Sequence, residues 1–173
     1  MIQARLIIWV WTLFFCYCYA VDQVSPPWGF VFTEWRGDPV EVIVYIPVGA
    51  DKNTDMLVVI PGASRDTQRF HASWLSFAKE DTFIVVTIGA SKKYFTDEYS
   101  YNAGNVVDPQ GNLNDKQLWL FSAVEKIFNK VKMKYNLETK GFHLFGHSAG
   151  GGFVHRYMLL MPSAPVVKAV AAN

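Results

Sequence analysis

The chain has 173 residues, within the usual size of one domain, and its composition is 51% hydrophobic and 18% charged. That is too apolar for intrinsic disorder, since charged residues make up about a quarter of an average soluble protein. Sixteen Lys and Arg against fifteen Asp and Glu give a net charge of +1, without the basic excess that contacts to a phosphate backbone need, so a nucleic-acid partner is excluded.

Met1 to Arg5 is a short basic head, and Leu6 to Phe15 runs on without a charge. With Cys18 and Ala20 forming a small-x-small cleavage site, residues 1–20 read as a signal peptide and residues 21–173 as the domain, which would be secreted. The alternative is an uncleaved membrane anchor over residues 6–21, sixteen apolar or weakly polar positions against the roughly 18 to 20 that span a bilayer. Cleavage would remove Arg5, Cys16 and Cys18, leaving basic and acidic side chains in balance and no disulfide framework. Stability must then come from a packed core, for which a domain of about 150 residues is large enough.

Trp28 to Trp35 and Val40 to Val48 are rich in β-branched and aromatic residues and are separated by the turn segment Arg36 to Pro39. They read as an antiparallel opening pair. Met56 to Ile60, Phe83 to Ile88 and Phe142 to Phe145 are short apolar runs of the kind buried on both faces of a parallel sheet. Helical segments are expected at Asp66 to Lys79 and at Asp115 to Tyr135. In the second, Leu118, Phe121, Val124, Ile127, Phe128 and Val131 recur at three- and four-residue steps, with Asn114 and Gln117 as a capping pair. A third helix, Ala149 to Met161, precedes a last apolar run, Val166 to Ala172, that reads as a parallel strand at a sheet edge. Right-handed crossovers between such strands give an α/β sandwich, a mostly parallel sheet with helices on both faces.

The chemistry concentrates at Gly146, His147, Ser148, Ala149 and Gly150, a G-x-S-x-G pattern at the junction of a strand and a helix. A serine on such a sharp turn has strained backbone angles, and its neighbours at two residues' distance crowd each other unless they lack side chains. The turn lifts the Ser148 hydroxyl above the carboxyl ends of the strands, where open α/β sheets bind ligands. An acyl-transfer serine also needs backbone N–H groups aimed at the developing oxyanion. Ala149 would supply one. Ala63, in the small-residue turn Pro61, Gly62, Ala63, Ser64 after the third strand, would supply the other.

From about Asp55 onward the chain resembles the α/β-hydrolase superfamily, and within it secreted esterases similar to polyhydroxybutyrate depolymerases. The shared segments are VVIPGASRD, YNAGNV from Tyr101 to Val106, LFSAVEKIF and FGHSAGGGFVHR. The resemblance implies hydrolysis of a small-molecule or polymeric carboxylic ester by a Ser148 nucleophile, with no cofactor and no metal. This chain has Pro61 where many such hydrolases have histidine before the oxyanion-loop glycine. The family orders its triad as Ser, then Asp or Glu, then His, whereas Ala149 to Asn173 contains no acid and only His155. The expectation is therefore the N-terminal portion of a longer hydrolase, an α/β-hydrolase fold lacking its C-terminal strands, with acid and base beyond residue 173. The alternative is a noncatalytic hydrolase-like binding protein, secreted or membrane-tethered.

The remaining polar and aromatic residues have plainer readings. His155 lies two helical turns below the elbow, about 10 Å along the axis, and is not the base. His147 reads as a pocket-wall residue, and His143 and His71 as structural. Tyr94, Phe95, Tyr99 and Tyr101 line a substrate pocket or pack over the core. Asp108, Gly111, Asn112, Asn114 and Asp115 resemble a calcium loop superficially, but Pro109 and the absent Glu make them a turn and cap. Arg65, Asp66 and Arg69 read as the solvated opening of a helix. Oligomeric state is not readable.

Overall fold

The computed structural model describes residues 28–173. The expected leader of residues 1–20, and its alternative as an anchor over residues 6–21, lie outside them. Among the described residues no helix is long and apolar enough to cross a membrane.

The opening pair forms as expected, with shorter strands. β1 (Trp28–Phe32) and β2 (Val40–Tyr45) are antiparallel, and Trp35 Nε1 donates to Asp38 O at 2.9 Å to close the connection. β2 stops just before Pro47, which has no N–H to offer a ladder. β3 (Met56–Ile60), β4 (Ile84–Gly89), β5 (Phe142–His147) and β6 (Val166–Ala172) complete one six-stranded sheet of order β1-β2-β4-β3-β5-β6. The last four strands in that order are mutually parallel, and β2 pairs antiparallel with β4. Among the described residues β6 forms one edge, with Val167 59% and Val170 54% exposed.

Successive residues of the central strands point to opposite faces, and each face finds its own helices. Met56, Val58 and Ile60 of β3 join Ile84, Val86 and Leu144 in the larger core, with Phe121, Val124, Ile127, Phe128 and Val131 of α3 (Leu120–Tyr135) and Phe153, Val154 and Tyr157 of α4 (Ala149–Leu160). Val59 and Val85 point the other way and meet Phe70 of α1 (Thr67–Ala72) and Leu75 and Ala78 of α2 (Leu75–Asp81).

Two helical expectations need correction. The segment expected as one helix from Asp66 to Lys79 is two, because Ser73 Oγ donates to Phe70 O at 2.8 Å and Trp74 N–H to His71 O at 3.1 Å. A serine side chain bonding the preceding turn bends a helix there, and the bend lays Trp74 edge-on against Phe145 of β5 with ring centroids 4.9 Å apart. The long helix starts at Leu120, not Asp115. A 3-10 turn, Lys116–Leu118, precedes it, and Asp115 caps that turn by accepting from Gln117 N–H at 2.9 Å. Asn114 and Gln117 are thus not a capping pair. The Asn114 amide donates instead to Asn105 O at 3.0 Å.

Chain order fixes where a ligand can sit. From β3 the chain passes through α1 and α2 to β4 on one side, and then through α3 to β5 on the other side of β3. The helix after β3 and the helix after β5 therefore leave on opposite faces, opening a crevice between the carboxyl ends of these two neighbours.

A buried histidine makes stability depend on pH. His71 is 2% exposed, its Nδ1 2.9 Å from Thr87 Oγ1, and its Nε2 has no partner among the described residues. Burial disfavours the imidazolium and lowers the pKa from 6.5 to about 4. The unfolded chain takes up this proton near pH 6.5 and the folded chain only near 4, so stability falls as pH falls through that window, by at most about 1.4 kcal/mol per pH unit. In urea unfolding between pH 7 and 4, the wild-type midpoint should drop more steeply than that of His71→Gln. Equal slopes would contradict the assignment.

Candidate active site

Ser148 lies between β5 and α4 with φ 55° and ψ −120°, a conformation in which a residue with a side chain is strained. Neighbouring backbone holds it there. Ser148 N–H donates to Ala172 O of β6 at 2.9 Å, and Ser148 O accepts from Gly152 N–H at 3.0 Å. The flanking glycines are sterically required. A Cβ at Gly146 would stand 2.1 Å from Gly150 O, and one at Gly150 would stand 2.2 Å from Ile60 O and 2.6 Å from Pro61 O. The expected crowding between the two glycines is present. The end of β3 adds a demand on Gly150 that local spacing does not reveal.

The turn after β3 lies directly beside this elbow. Gly62 O accepts from Arg65 N–H at 3.0 Å, which places Ala63 and Ser64 at the exposed corner. A Cβ at Gly62 would be 3.2 Å from His147 O and 3.6 Å from Ser148 Cβ. Ala149 is the first residue of α4, where N–H groups have no intrahelical acceptor. Among the described residues neither the Ala149 N–H nor the Ala63 N–H is taken by a hydrogen bond.

Both loops border an open cleft of about 470 Å³ walled by Gly62, Ala63, Phe70, His147 and Ser148. Ser148 is exposed, and among the described residues its side chain makes no capping hydrogen bond. His147 lies against Phe70 with ring centroids 6.3 Å apart, the pocket-wall position its sequence suggests. His155 is exposed on α4, His143 Nε2 is 3.8 Å from Asp55 Oδ2, and His71 is buried under α1. Among the described residues, then, no carboxylate–imidazole pair stands at Ser148. The Asp108 loop is the turn its sequence suggests, with the carboxylate accepting N–H groups of Gln110 and Asn112.

The aromatic loop divides between the two readings its sequence allows, whereas Arg65 departs from expectation. Tyr94 is 38% exposed and borders a separate cavity with Trp35 and Phe95, whereas Phe95 and Tyr101 are buried in the core and do not line the Ser148 cleft. Arg65 is half-buried and does not project into solvent as a helix opening would. Its guanidinium lies over the Tyr101 ring, 3.3 Å from the centroid, and Nη1 donates to Ala90 O at 2.9 Å and Phe95 O at 3.3 Å. Burial pulls the Arg65 pKa down and pushes that of Tyr101 up, so the phenol stays protonated and donates to Pro61 O. Asp66 and Arg69 are exposed at the start of α1, as expected, with Asp66 capping through Arg69 N–H at 2.9 Å. The paired role of Arg65 and Tyr101 has no local sequence signal, since the two are far apart in the chain.

Comparisons with known proteins agree with the fold that carries this site. The structure is similar to that of poly(aspartic acid) hydrolase-1 from Sphingomonas sp. KT-1, with TM-score 0.81 and 36% identity, covering 84% of this chain and 55% of that one. It is similar to a poly(3-hydroxybutyrate) depolymerase from Bordetella parapertussis, with TM-score 0.78 and 25% identity, covering 84% and 51%. It shares its fold with an acetyl xylan esterase from Aspergillus awamori, at TM-score 0.60 and 14% identity, covering 84% and 53%. The chain spans about half the length of these structures. No protein-family model matches the sequence, and no curated protein does. With its six-stranded sheet, its helices on both faces and these neighbours, the chain has the α/β-hydrolase fold found in esterases.

Proposed function

We propose that the chain is the N-terminal part of a secreted serine hydrolase acting on carboxylic esters, with Ser148 as nucleophile. The observation that carries this reading is the strained, exposed Ser148 flanked by two unoccupied backbone donors, Ala149 N–H and Ala63 N–H. The esterase and depolymerase neighbours support the substrate class. A small or polymeric ester suits a cleft that is open rather than enclosed. The basic head and apolar run of residues 1–20 support secretion.

In this scheme Ser148 Oγ attacks the ester carbonyl carbon while a histidine takes its proton. The carbonyl oxygen becomes an oxyanion that accepts hydrogen bonds from Ala149 N–H and Ala63 N–H. Collapse breaks the bond to the alkoxy oxygen, which leaves as the alcohol with the proton returned by the histidine. Water, deprotonated by the same histidine, then releases the acid and restores Ser148. The histidine and its carboxylate partner are supplied from sequence outside residues 28–173. The scheme needs neither cofactor nor metal. Donors that bond the oxyanion more strongly than the ground-state carbonyl lower the barrier, and loss of one such donor elsewhere costs roughly 100- to 1,000-fold in kcat.

A fluorophosphonate should label the full-length protein at Ser148, with labelling lost in Ser148→Ala. Labelling that persists in that variant would contradict the assignment, and a full-length protein that neither reacts with the probe nor turns over esters would favour a noncatalytic binding role. Gly150→Ala should destabilise the fold by about 1–3 kcal/mol, as overpacking does, and abolish labelling, because the added methyl must push the end of β3 away from the elbow. Thermal unfolding and probe reactivity measured on one preparation check both.

A further inference from the structure

Ala63 stands at the exposed corner of a turn whose two ends are each held by a side chain or backbone far away in sequence. At one end, the Pro61 carbonyl is caught between two partners. It accepts the Tyr101 phenol, and on its other side it packs so closely on Gly150 that no Cβ could fit between them. At the other end, Arg65 has a left-handed backbone, φ 59°, and its N–H bonds Gly62 O at 3.0 Å. Its guanidinium lies over the same Tyr101 ring and donates to Ala90 O, at the end of β4, and to Phe95 O. Tyr101 is 1% exposed in the larger core, with the Phe153 ring centroid 6.2 Å from its own, so the phenol is a fixed post.

We infer that Tyr101 and Arg65 are positioning residues for the Ala63 N–H, setting the distance and angle at which the turn after β3 meets an oxyanion formed on Ser148. This inference rests on the proposed ester-hydrolase reading. Neither side chain lines the cleft, so neither touches substrate. Their effect passes through the backbone of Pro61 to Arg65, a segment with no hydrogen bond of its own at Ala63 to fix the donor. A displacement on the order of 1 Å in such a group can cost about 100-fold in rate. Without the phenol hydroxyl, Pro61 O loses its donor while Gly150 still presses on it, so the turn relaxes away from the elbow and takes Ala63 with it. Without the guanidinium, the strained backbone at Arg65 loses its anchor to Ala90 and Phe95.

The test compares an ester with its thionoester, whose C=S gains less from an oxyanion donor, in the full-length protein. Tyr101→Phe should lower kcat for the oxoester about 10- to 100-fold, leave KM within about twofold, and reduce the ratio of oxoester to thionoester turnover. Arg65→Ala should do the same, and Arg65→Lys, which keeps a cation over the ring, should recover part of the loss. Ala63→Pro deletes the donor itself at a turn corner that accepts proline and sets the maximum fall in the ratio. If Ala63→Pro lowers the ratio while Tyr101→Phe and Arg65→Ala leave it unchanged, the positioning role is overturned and the oxyanion reading stands. If the two variants only lower the melting temperature and slow both substrates equally, their role is structural and the inference is likewise overturned. If Ala63→Pro itself leaves oxoester turnover intact, Ala63 is not the donor and both readings fall.

Discussion

The parallel pairing of β3 with β5, in the register that sets Ile60 opposite Gly146, is the constraint on which the site depends. It brings two loops that are more than eighty positions apart in sequence to the same point of the sheet edge. The helices that follow these strands depart on opposite faces, so the loops are not buried under either helix and a crevice remains between them. Contact is close enough that Gly62 meets His147 O and Gly150 meets Ile60 O. A one-residue slip in this pairing would turn every side chain of β5 to the wrong face and separate the two loops. The alternating cores, Val58 and Ile60 on one side and Val59 on the other, make that slip costly.

The strain at Ser148 is held by this packing. A non-glycine residue in a sparsely populated backbone region costs on the order of 1–3 kcal/mol and persists only when its surroundings over-determine it. Here β6 fixes the serine N–H through Ala172 O, α4 fixes its carbonyl through Gly152, and two glycines admit the close backbone contacts. The same arrangement leaves Ser148 at the cleft and, among the described residues, the Ala149 N–H without an acceptor. Tyr101 and Arg65 extend it to the neighbouring turn, so the two proposed oxyanion donors are tied to one rigid body through Pro61 and Gly150.

Much of this was legible in the sequence because it is written in short-range patterns. Short apolar runs marked β3 to β5, five of six apolar positions at helical spacing marked α3, and G-x-S-x-G between a strand and a helix marked the elbow. Interactions between distant segments were not legible. The charge of Arg65 suggests water, but a tyrosine thirty-six positions later gives its guanidinium a flat surface, and two carbonyls supply the acceptors. Ser73 is an ordinary helical residue by composition, and only its bond to Phe70 O and the fit of Trp74 on Phe145 break the helix. At the start of α3, Asn114 and Asp115 are both good caps. The pull of Asn105 on the Asn114 amide decides between them.

The central claim is that Ser148 and two backbone donors from different loops converge on one reacting carbonyl. A crystal structure of the full-length protein phosphonylated with an ester-like phosphonate tests it most directly, because the phosphonate mimics the tetrahedral intermediate. The account predicts phosphorus bonded to Ser148 Oγ, with one phosphonyl oxygen about 2.7–3.1 Å from both Ala149 N and Ala63 N. A phosphonate on another residue, or an oxygen turned away from both amides, would contradict it.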